Sequence, residues 1–215
     1  MDVESYWRVI GSERRSLAEQ LESLTDEQWE TPSLCAGWRV RDVAAHLALV
    51  PTAPGLLALI GGVVKVGGNP NRFNHDLAVR HADRPTADIV AELRDQADSR
   101  KLSLPTTAPN LAFDILVHGQ DIAIPLGLSR PMPPDAAAAG ATRVWGMGFP
   151  FWARRRLRGY RLTATDIDWS VGAGAEVRGP VSAHLLLLTG RSAALTMVDG
   201  VGADALRARH HLAHP

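Results

Sequence analysis

One segment with the apolar spacing of an amphipathic helix carries two ionisable side chains on its apolar stripe. Asp114 and His118 are four residues apart in the segment FDILVHGQDIA, so in a helix they lie one turn apart on the same face. That face also carries Leu111, Ile115 and Ile122, which predicts that it enters the core. Burying polar groups without partners costs on the order of 2–7 kcal/mol. The fold must therefore give both side chains a partner.

A second predicted helix repeats the pattern with another histidine. His46 lies in the segment RVRDVAAHLAL and shares an apolar stripe with Val43 and Leu47. A divalent metal bound by His46 and by the aspartate–histidine pair of the other helix would give all three side chains a partner. The alternative is a core histidine that hydrogen-bonds a backbone carbonyl or Asp42.

Length, charge and cysteine content narrow the class of protein. A chain of 215 residues suits one large domain or one and a half. Lysine plus arginine and aspartate plus glutamate both number 23, which argues against a dedicated nucleic-acid binder. The single cysteine, Cys35, excludes an intrachain disulfide and a cysteine-rich metal site. We find no signal-peptide pattern and no apolar run long enough for a membrane span, so we expect a cytoplasmic protein.

The order of elements predicts a mainly α chain with a small α/β region at the end. Thr25 and Gln28 form a candidate capping box at a helix start. Apolar periodicity predicts longer helices over about Val3–Leu24, Trp38–Val50, Leu56–Val66 and Ala108–Leu126, with others starting at Pro85 and at Pro133 and running toward Trp145.

The character of the sequence changes after Arg158. Tyr160–Asp166 alternates as a strand does, with Asp168–Val171 as a candidate extension. We predict further short elements: a strand at Glu176–Arg178, a helix over Ser182–Leu188 that Gly190 ends, a last strand at Ala194–Val198 and a terminal helix. The domains predicted are therefore a helical domain, residues 1–150, and a small α/β domain, residues 151–215.

Three segments carry a resemblance to a known family. They are CAGWRVRDVAAHL (35–47), DILVHGQDIAIPLG (114–127) and GPVSAHLLLLTGR (179–191). In sequence, order and spacing they resemble the mycothiol-dependent maleylpyruvate isomerase family, and together they extend over most of the chain. The resemblance implies a DinB-like four-helix bundle followed by a small C-terminal domain.

The resemblance also implies a set of site residues. It implies a divalent metal, typically zinc, held by His46, Asp114 and His118. The well-studied isomerase has glutamate at the position of Asp114, so the shorter carboxylate here puts the particular isomerase reaction in doubt more than the metal. The family's arginine in the TGR motif, which helps to handle an anionic substrate, falls on Arg191. The alternative for Arg191 is a side chain that covers apolar surface or pairs with an acidic neighbour.

These implications lead to a functional hypothesis with rivals. The hypothesis is a metal-dependent enzyme in which the thiolate of mycothiol attacks a small electrophilic substrate. An anionic substrate is one form of this hypothesis. Reversal of the adduct after bond rotation gives isomerisation, and persistence of the adduct gives S-transfer. The rivals are a metal-dependent hydrolase on the same ligands and a non-catalytic metal-binding stress or binding protein. We expect no nucleic-acid or membrane partner, and a monomer or homodimer.

Three more residues are candidates for supporting roles. Asp121 follows His118 by three residues and Asp42 precedes His46 by four, so either carboxylate could orient a ligand imidazole. The alternatives are a helix-surface or inter-helix contact for Asp121 and a favourable charge near a helix N-terminus for Asp42. Cys35 is interpreted as part of a packed loop, with a reactive thiol as the alternative.

Overall fold

A computed structural model describes residues 1–49, 70–102 and 106–213. The chain divides into two compact units, one built from Asp2–Arg130 and the other from Pro131–Pro215. None of the helices in the described ranges combines the length and the hydropathy that crossing a membrane requires. The helix predicted over Leu56–Val66 lies outside the described residues.

The described part of the first unit is helical. Its helices are α1 (Val3–Glu22), α2 (Asp26–Trp29), α3 (Val40–Leu49), α4 (Pro70–Ala82), α5 (Thr86–Asp95) and α6 (Ala108–Ala123). Helix α1 packs against α5 and α6, and α3 packs against α4, α5 and α6. The stripes predicted to enter the core do so, since Val43, Leu47, Ile115 and Ile122 are all buried. This packing brings the two helices with ionisable stripes side by side.

Local sequence signals explain where these helices begin. Thr25 and Gln28 form the predicted capping box at the start of α2, each accepting a hydrogen bond from the other's backbone N–H. The Thr107 side chain accepts a hydrogen bond from the backbone N–H of Asn110 and so caps α6. Helix α6 ends at Ala123, three residues earlier than predicted.

The second unit combines helices with a small sheet. Its elements are α7 (Pro134–Gly146), α8 (Ala153–Arg156), β1 (Gly159–Ala164), β2 (Ser170–Gly172), β3 (Gly174–Gly179), α9 (Val181–Leu188), a 3₁₀ helix (Ser192–Met197) and α10 (Val201–Ala213). The strand order is β2-β1-β3, with β1 antiparallel to β2 and parallel to β3. Helix α9 packs against α7 and β1, and α10 packs against β3. The predicted fold class, mainly α with a small C-terminal α/β region, is confirmed.

Two strand predictions in this unit are wrong. Residues Ser192–Met197 form a 3₁₀ helix where a strand was expected at Ala194–Val198. The Thr196 hydroxyl donates to the carbonyl of Ala193, a local bond that favours a turn over a strand. Residues Ser170–Gly172 do not extend β1 but return antiparallel to it as β2.

The two contact-defined units divide between Arg130 and Pro131, so α7 lies in the second unit with the sheet. The domain limits 1–150 and 151–215 remain a prediction, as does the number of helices in the bundle.

Candidate metal centre

The structure brings together the three side chains that the sequence singled out. The His46 Nε2 atom lies 3.6 Å from one carboxylate oxygen of Asp114, and the His118 Nε2 atom lies 3.5 Å from the other. The two imidazole rings meet edge to face, with centroids 5.0 Å apart. Both histidine side chains are largely buried, at 12% and 14% exposure, whereas Asp114 is 33% exposed. Asp114 is therefore the most exposed of the three side chains.

The separations between these donor atoms suit one ion. Zinc binds imidazole nitrogen and carboxylate oxygen at about 2.0–2.2 Å, so two ligands in a tetrahedral site lie roughly 3.3–3.6 Å apart. The observed 3.5 and 3.6 Å join the two imidazoles to different oxygens of Asp114, and one donor atom from each of the three residues lies within 4.8 Å of the others. Two imidazoles and a carboxylate are a donor set common to zinc, iron(II) and nickel. The residues present fit a divalent metal.

The other ring nitrogen of His118 faces a different carboxylate. Its Nδ1 atom lies 2.8 Å from an oxygen of Asp121, a residue that is fully buried. The Cys35 thiol donates to the same oxygen over 3.0 Å, and its sulfur lies 3.6 Å from His118 Nδ1. The role proposed for Asp121 from its spacing has this geometric basis, because an outer carboxylate of this kind orients a ligand imidazole.

The charges around His118 favour a positive charge at its ring. Burial by itself lowers the pKa of His118. The carboxylate of Asp114 and the hydrogen bonds with Asp121 and Cys35 more than reverse that effect and raise the pKa to about 10. The cluster is thus an environment that stabilises a cation.

An aromatic side chain borders the cluster. The ring of Trp38 lies 6.2 Å from that of His118 in a stacked arrangement and 5.3 Å from that of His46. Trp38 is itself nearly buried, so it keeps water from this side of both imidazoles. His75, which the sequence did not mark as a ligand, lies with its ring centroid 6.0 Å from Trp38.

Asp42 does not orient His46. Its carboxylate accepts hydrogen bonds from the backbone N–H, Nε and one terminal nitrogen of Arg39, at 2.8, 2.9 and 2.9 Å. The side chain is 2% exposed and lies at the start of α3. The alternative interpretation, a favourable carboxylate at a helix N-terminus, therefore describes Asp42 better.

Arg191 lies in the second unit, directly after α9. Gly190 has φ of +93°, the left-handed backbone that ends a helix, and the Arg191 backbone N–H donates to Leu186 O at 2.8 Å. The Arg191 guanidinium donates to the carbonyl of Thr189 and lines a cavity of about 210 Å³. Arg156, Arg209 and His210 line the same cavity, which is therefore rich in positive charge.

Sequence spacing could not reveal the contact of Cys35 with this cluster. Cys35 lies on a loop 83 residues before His118 and 86 before Asp121, so no helical period connects them. The sequence shows only that Cys35 and Trp38 lie in one short loop. That closeness indicates a packed loop and does not identify a carboxylate as the partner of the thiol.

Comparisons with known proteins agree with this fold. Residues 10–110 match the family model described as the mycothiol maleylpyruvate isomerase N-terminal domain. His46 falls inside this range, while Asp114 and His118 follow it. A search of curated protein sequences finds no significant match.

Two solved structures are similar over almost the whole chain. The crystal structure of the mycothiol-dependent maleylpyruvate isomerase has a TM-score of 0.65 at 13% identity, with 94% of each chain covered. A histidine-to-alanine mutant of that isomerase has a TM-score of 0.54 at 15% identity, again with 94% of each chain covered. At these identities the likeness is one of fold. Residues 10–110 therefore match the N-terminal domain of this family in sequence, and the chain shares the fold of the mycothiol-dependent maleylpyruvate isomerase.

Proposed function

We propose that the protein is a metal-dependent enzyme that uses mycothiol to isomerise, or to add sulfur to, a small electrophilic substrate. The observation that carries the proposal is the convergence of His46, Asp114 and His118, whose donor atoms lie within 4.8 Å of one another. The thiol is inferred from the family-model match over residues 10–110 and from the similar solved structure, which is described as mycothiol-dependent.

His46 Nε2, the Asp114 carboxylate and His118 Nε2 would hold the metal, with zinc as the expected ion. Three protein donors are the number found in catalytic zinc sites, where a further position stays open to an exchangeable ligand. A bound divalent cation lowers the pKa of a thiol in contact with it, which makes the thiolate available at neutral pH.

The chain's own side chains prepare the site for this chemistry. Trp38 stacks on His118 and limits water on that face, which strengthens electrostatic interactions there. The greater exposure of Asp114 leaves the approach for a small thiol on its side. The only cysteine, Cys35, has its thiol directed to the buried carboxylate of Asp121. This arrangement suits a reaction in which the attacking sulfur comes from outside.

For Arg191 we propose contact with an anionic group of the substrate or cofactor. Arginine binds carboxylates with two parallel hydrogen bonds, and the cavity that Arg191 lines is rich in cationic side chains. We expect Arg191→Lys to lower kcat/KM while metal content stays unchanged, because the charge remains and the planar fork is lost. Full turnover and unchanged thiol affinity in Arg191→Ala would make Arg191 structural.

Calorimetric titration with mycothiol tests the proposal directly. We expect binding to the zinc-loaded protein and none to the metal-free protein or to loaded His46→Ala. Maleylpyruvate is the first substrate to assay, since the solved relative is named for it. Product analysis then separates isomerisation from S-transfer. Mycothiol binding that is absent, or equally strong without metal, would contradict the proposal.

A further inference from the structure

The two ring nitrogens of His118 face two different carboxylates, and only one of them can receive the proton of a neutral imidazole. Nε2 lies 3.5 Å from Asp114, and Nδ1 lies 2.8 Å from Asp121. A neutral imidazole carries its proton on one nitrogen and a lone pair on the other. A metal ligand must present the lone pair, so the nitrogen that faces the metal must be the unprotonated one.

We propose that Cys35 and Asp121 act together as positioning residues that fix the tautomer of His118. Asp121 accepts the Nδ1 proton, which leaves the Nε2 lone pair directed at the ion. The Cys35 thiol donates to the same Asp121 oxygen and holds it in line with Nδ1. Without this pair, the Nε2 proton would find an acceptor in Asp114, and this hydrogen bond would compete with the metal.

The loop that carries Cys35 is tied to Asp121 in two ways. Besides the thiol hydrogen bond, the backbone N–H of Leu34 donates to the backbone carbonyl of Asp121 at 3.1 Å. Within the loop, the Ser33 hydroxyl donates to the carbonyl of Trp38 and accepts from the Cys35 N–H. The same loop therefore places the thiol beside Asp121 and the Trp38 ring over His118. These contacts explain why a cysteine 83 residues away can affect the orientation of a ligand.

The full burial of Asp121 makes the orientation of its carboxylate depend on the hydrogen bonds that it accepts within the protein. A carboxylate with no solvent contact depends on the protein for its hydrogen bonds, so each donor that reaches it constrains its orientation. Serine retains an O–H donor at position 35, whereas alanine removes it. Asparagine at position 121 keeps the shape of the side chain but can present N–H instead of oxygen to Nδ1, which favours the wrong tautomer.

The inference deepens the proposed function, since it concerns the same metal centre. Its test compares Asp121→Asn, Cys35→Ala and Cys35→Ser with the parent protein. Glu13→Gln is the matched control, because Glu13 is a buried carboxylate of the same unit that pairs with Arg130, and its helix α1 carries none of the three candidate ligands. Competition with a chelator gives the affinity for Zn²⁺, and ¹⁵N NMR of the metal-free proteins, recorded above about pH 10 so that the His118 ring is neutral, gives the tautomer of His118.

We expect Asp121→Asn to weaken Zn²⁺ binding roughly 10–100-fold, as is typical for loss of an outer hydrogen bond to a ligand. Cys35→Ala weakens it less, Cys35→Ser restores it, and Glu13→Gln leaves it at the parent value. In the metal-free proteins, the Nδ1–H tautomer of the parent shifts toward Nε2–H in Asp121→Asn. Thermal unfolding of each variant separates these effects from loss of fold, because a tautomer change at unchanged stability cannot come from unfolding.

Two results would overturn the inference. One is an unchanged tautomer and unchanged affinity in folded Asp121→Asn. The other is a sulfur-to-cobalt charge-transfer band in the Co²⁺-loaded parent that Cys35→Ser removes, which would make Cys35 a ligand. If the parent protein binds no metal, the proposed function is refuted. The inference about Asp121 is still decided in that case, because the His118 tautomer is measured on the metal-free proteins.

Discussion

Asp114 is the residue on which the geometry of the candidate centre depends most. Each of its two oxygens faces a different histidine, at 3.6 and 3.5 Å. The family resemblance places glutamate at this position, one methylene longer. The separations show that α3 and α6 approach closely enough for the shorter side chain to reach both imidazoles.

Substitution of Asp114 tests this geometry. We expect Asp114→Asn to lose zinc affinity by more than the roughly 10–100-fold of an outer-sphere change, because a charged ligand is removed. Asp114→Glu keeps the charge and should retain one zinc per chain, with a different affinity. Metal content after dialysis, measured by mass spectrometry, provides the comparison. Equal zinc content in Asp114→Asn and the parent would exclude Asp114 as a ligand.

The elements that carry the ligands are positioned by contacts at their ends. The first turn of helix α3 contains a buried carboxylate, Asp42, that accepts three hydrogen bonds from Arg39. Arg39 also pairs with Glu30, just after α2, which ties the start of α3 to that segment. His46 lies one turn further along the same helix, so the anchoring of Asp42 limits how far this ligand can move.

Removal of the Asp42 carboxylate should therefore destabilise the protein. We expect Asp42→Ala to lower the free energy of unfolding by about 1–3 kcal/mol, because it leaves buried donors without an acceptor. Asp42→Asn should cost less, since its side-chain oxygen still accepts from the Arg39 N–H. Urea unfolding followed by circular dichroism measures both changes. An unfolding midpoint that Asp42→Ala leaves unmoved would show that this contact does not stabilise α3.

Strand β3 depends on a glycine at its first position. Gly174 has φ of +124°, and a Cβ atom there would clash with the carbonyl oxygen of Gly159 in the paired strand β1. We expect Gly174→Ala to destabilise the second unit by about 3 kcal/mol or more, from strain and clash together. The control is Gly146→Ala at the end of α7, where a Cβ meets nothing within 4 Å. Similar stabilities of the two variants would contradict this explanation.

The sequence predicted the elements whose periodicity is long and strong. Helices α1, α3 and α6 follow from apolar spacing, and the direction of Asp114 and His118 follows from their separation of four residues. The strand expected at Ala194–Val198 failed because β-forming residues in a short run gave no information on local side-chain bonds such as that of Thr196. The partnership of Cys35 with Asp121 depends on tertiary packing, which a single sequence does not encode at any fixed spacing.

At the scale of the whole molecule, the formal charges of the basic and acidic residues cancel. The pKa values of two largely buried histidines are shifted in opposite directions, upward for His118 and downward for His184. His184 in α9 is fully buried, and its Nε2 donates to the carbonyl of Thr163 in β1. Among the described residues, its Nδ1 has no hydrogen-bond partner. Burial lowers the pKa of His184 below the ordinary value of 6.5, and the Thr163 carbonyl only partly opposes this shift. The cytoplasmic location and the monomer or dimer state remain predictions.

The lowered pKa of His184 makes stability depend on pH. Below about pH 6.5 the unfolded chain protonates this histidine while the folded chain keeps it neutral, so stability falls as the pH drops. The His184 contribution is fully present above that pH and is lost progressively as the pH falls toward the lowered pKa of the folded chain.

His184→Gln keeps a donor for Thr163 without the titration. The stability difference between parent and variant should therefore shrink as the pH falls from 7 to 5, measured by urea unfolding at each pH. A difference that stays constant over this range would show that His184 titrates alike in both states.

Anomalous diffraction from a zinc-soaked crystal, recorded on both sides of the zinc absorption edge, would show directly whether His46, Asp114 and His118 bind zinc. We expect one strong peak at about 2.0–2.2 Å from His46 Nε2, His118 Nε2 and an Asp114 oxygen. A crystal of His46→Ala soaked in the same way should lack the peak. No peak at these three residues, or a peak held instead by Cys35, Asp121 and His118 Nδ1, would contradict this expectation.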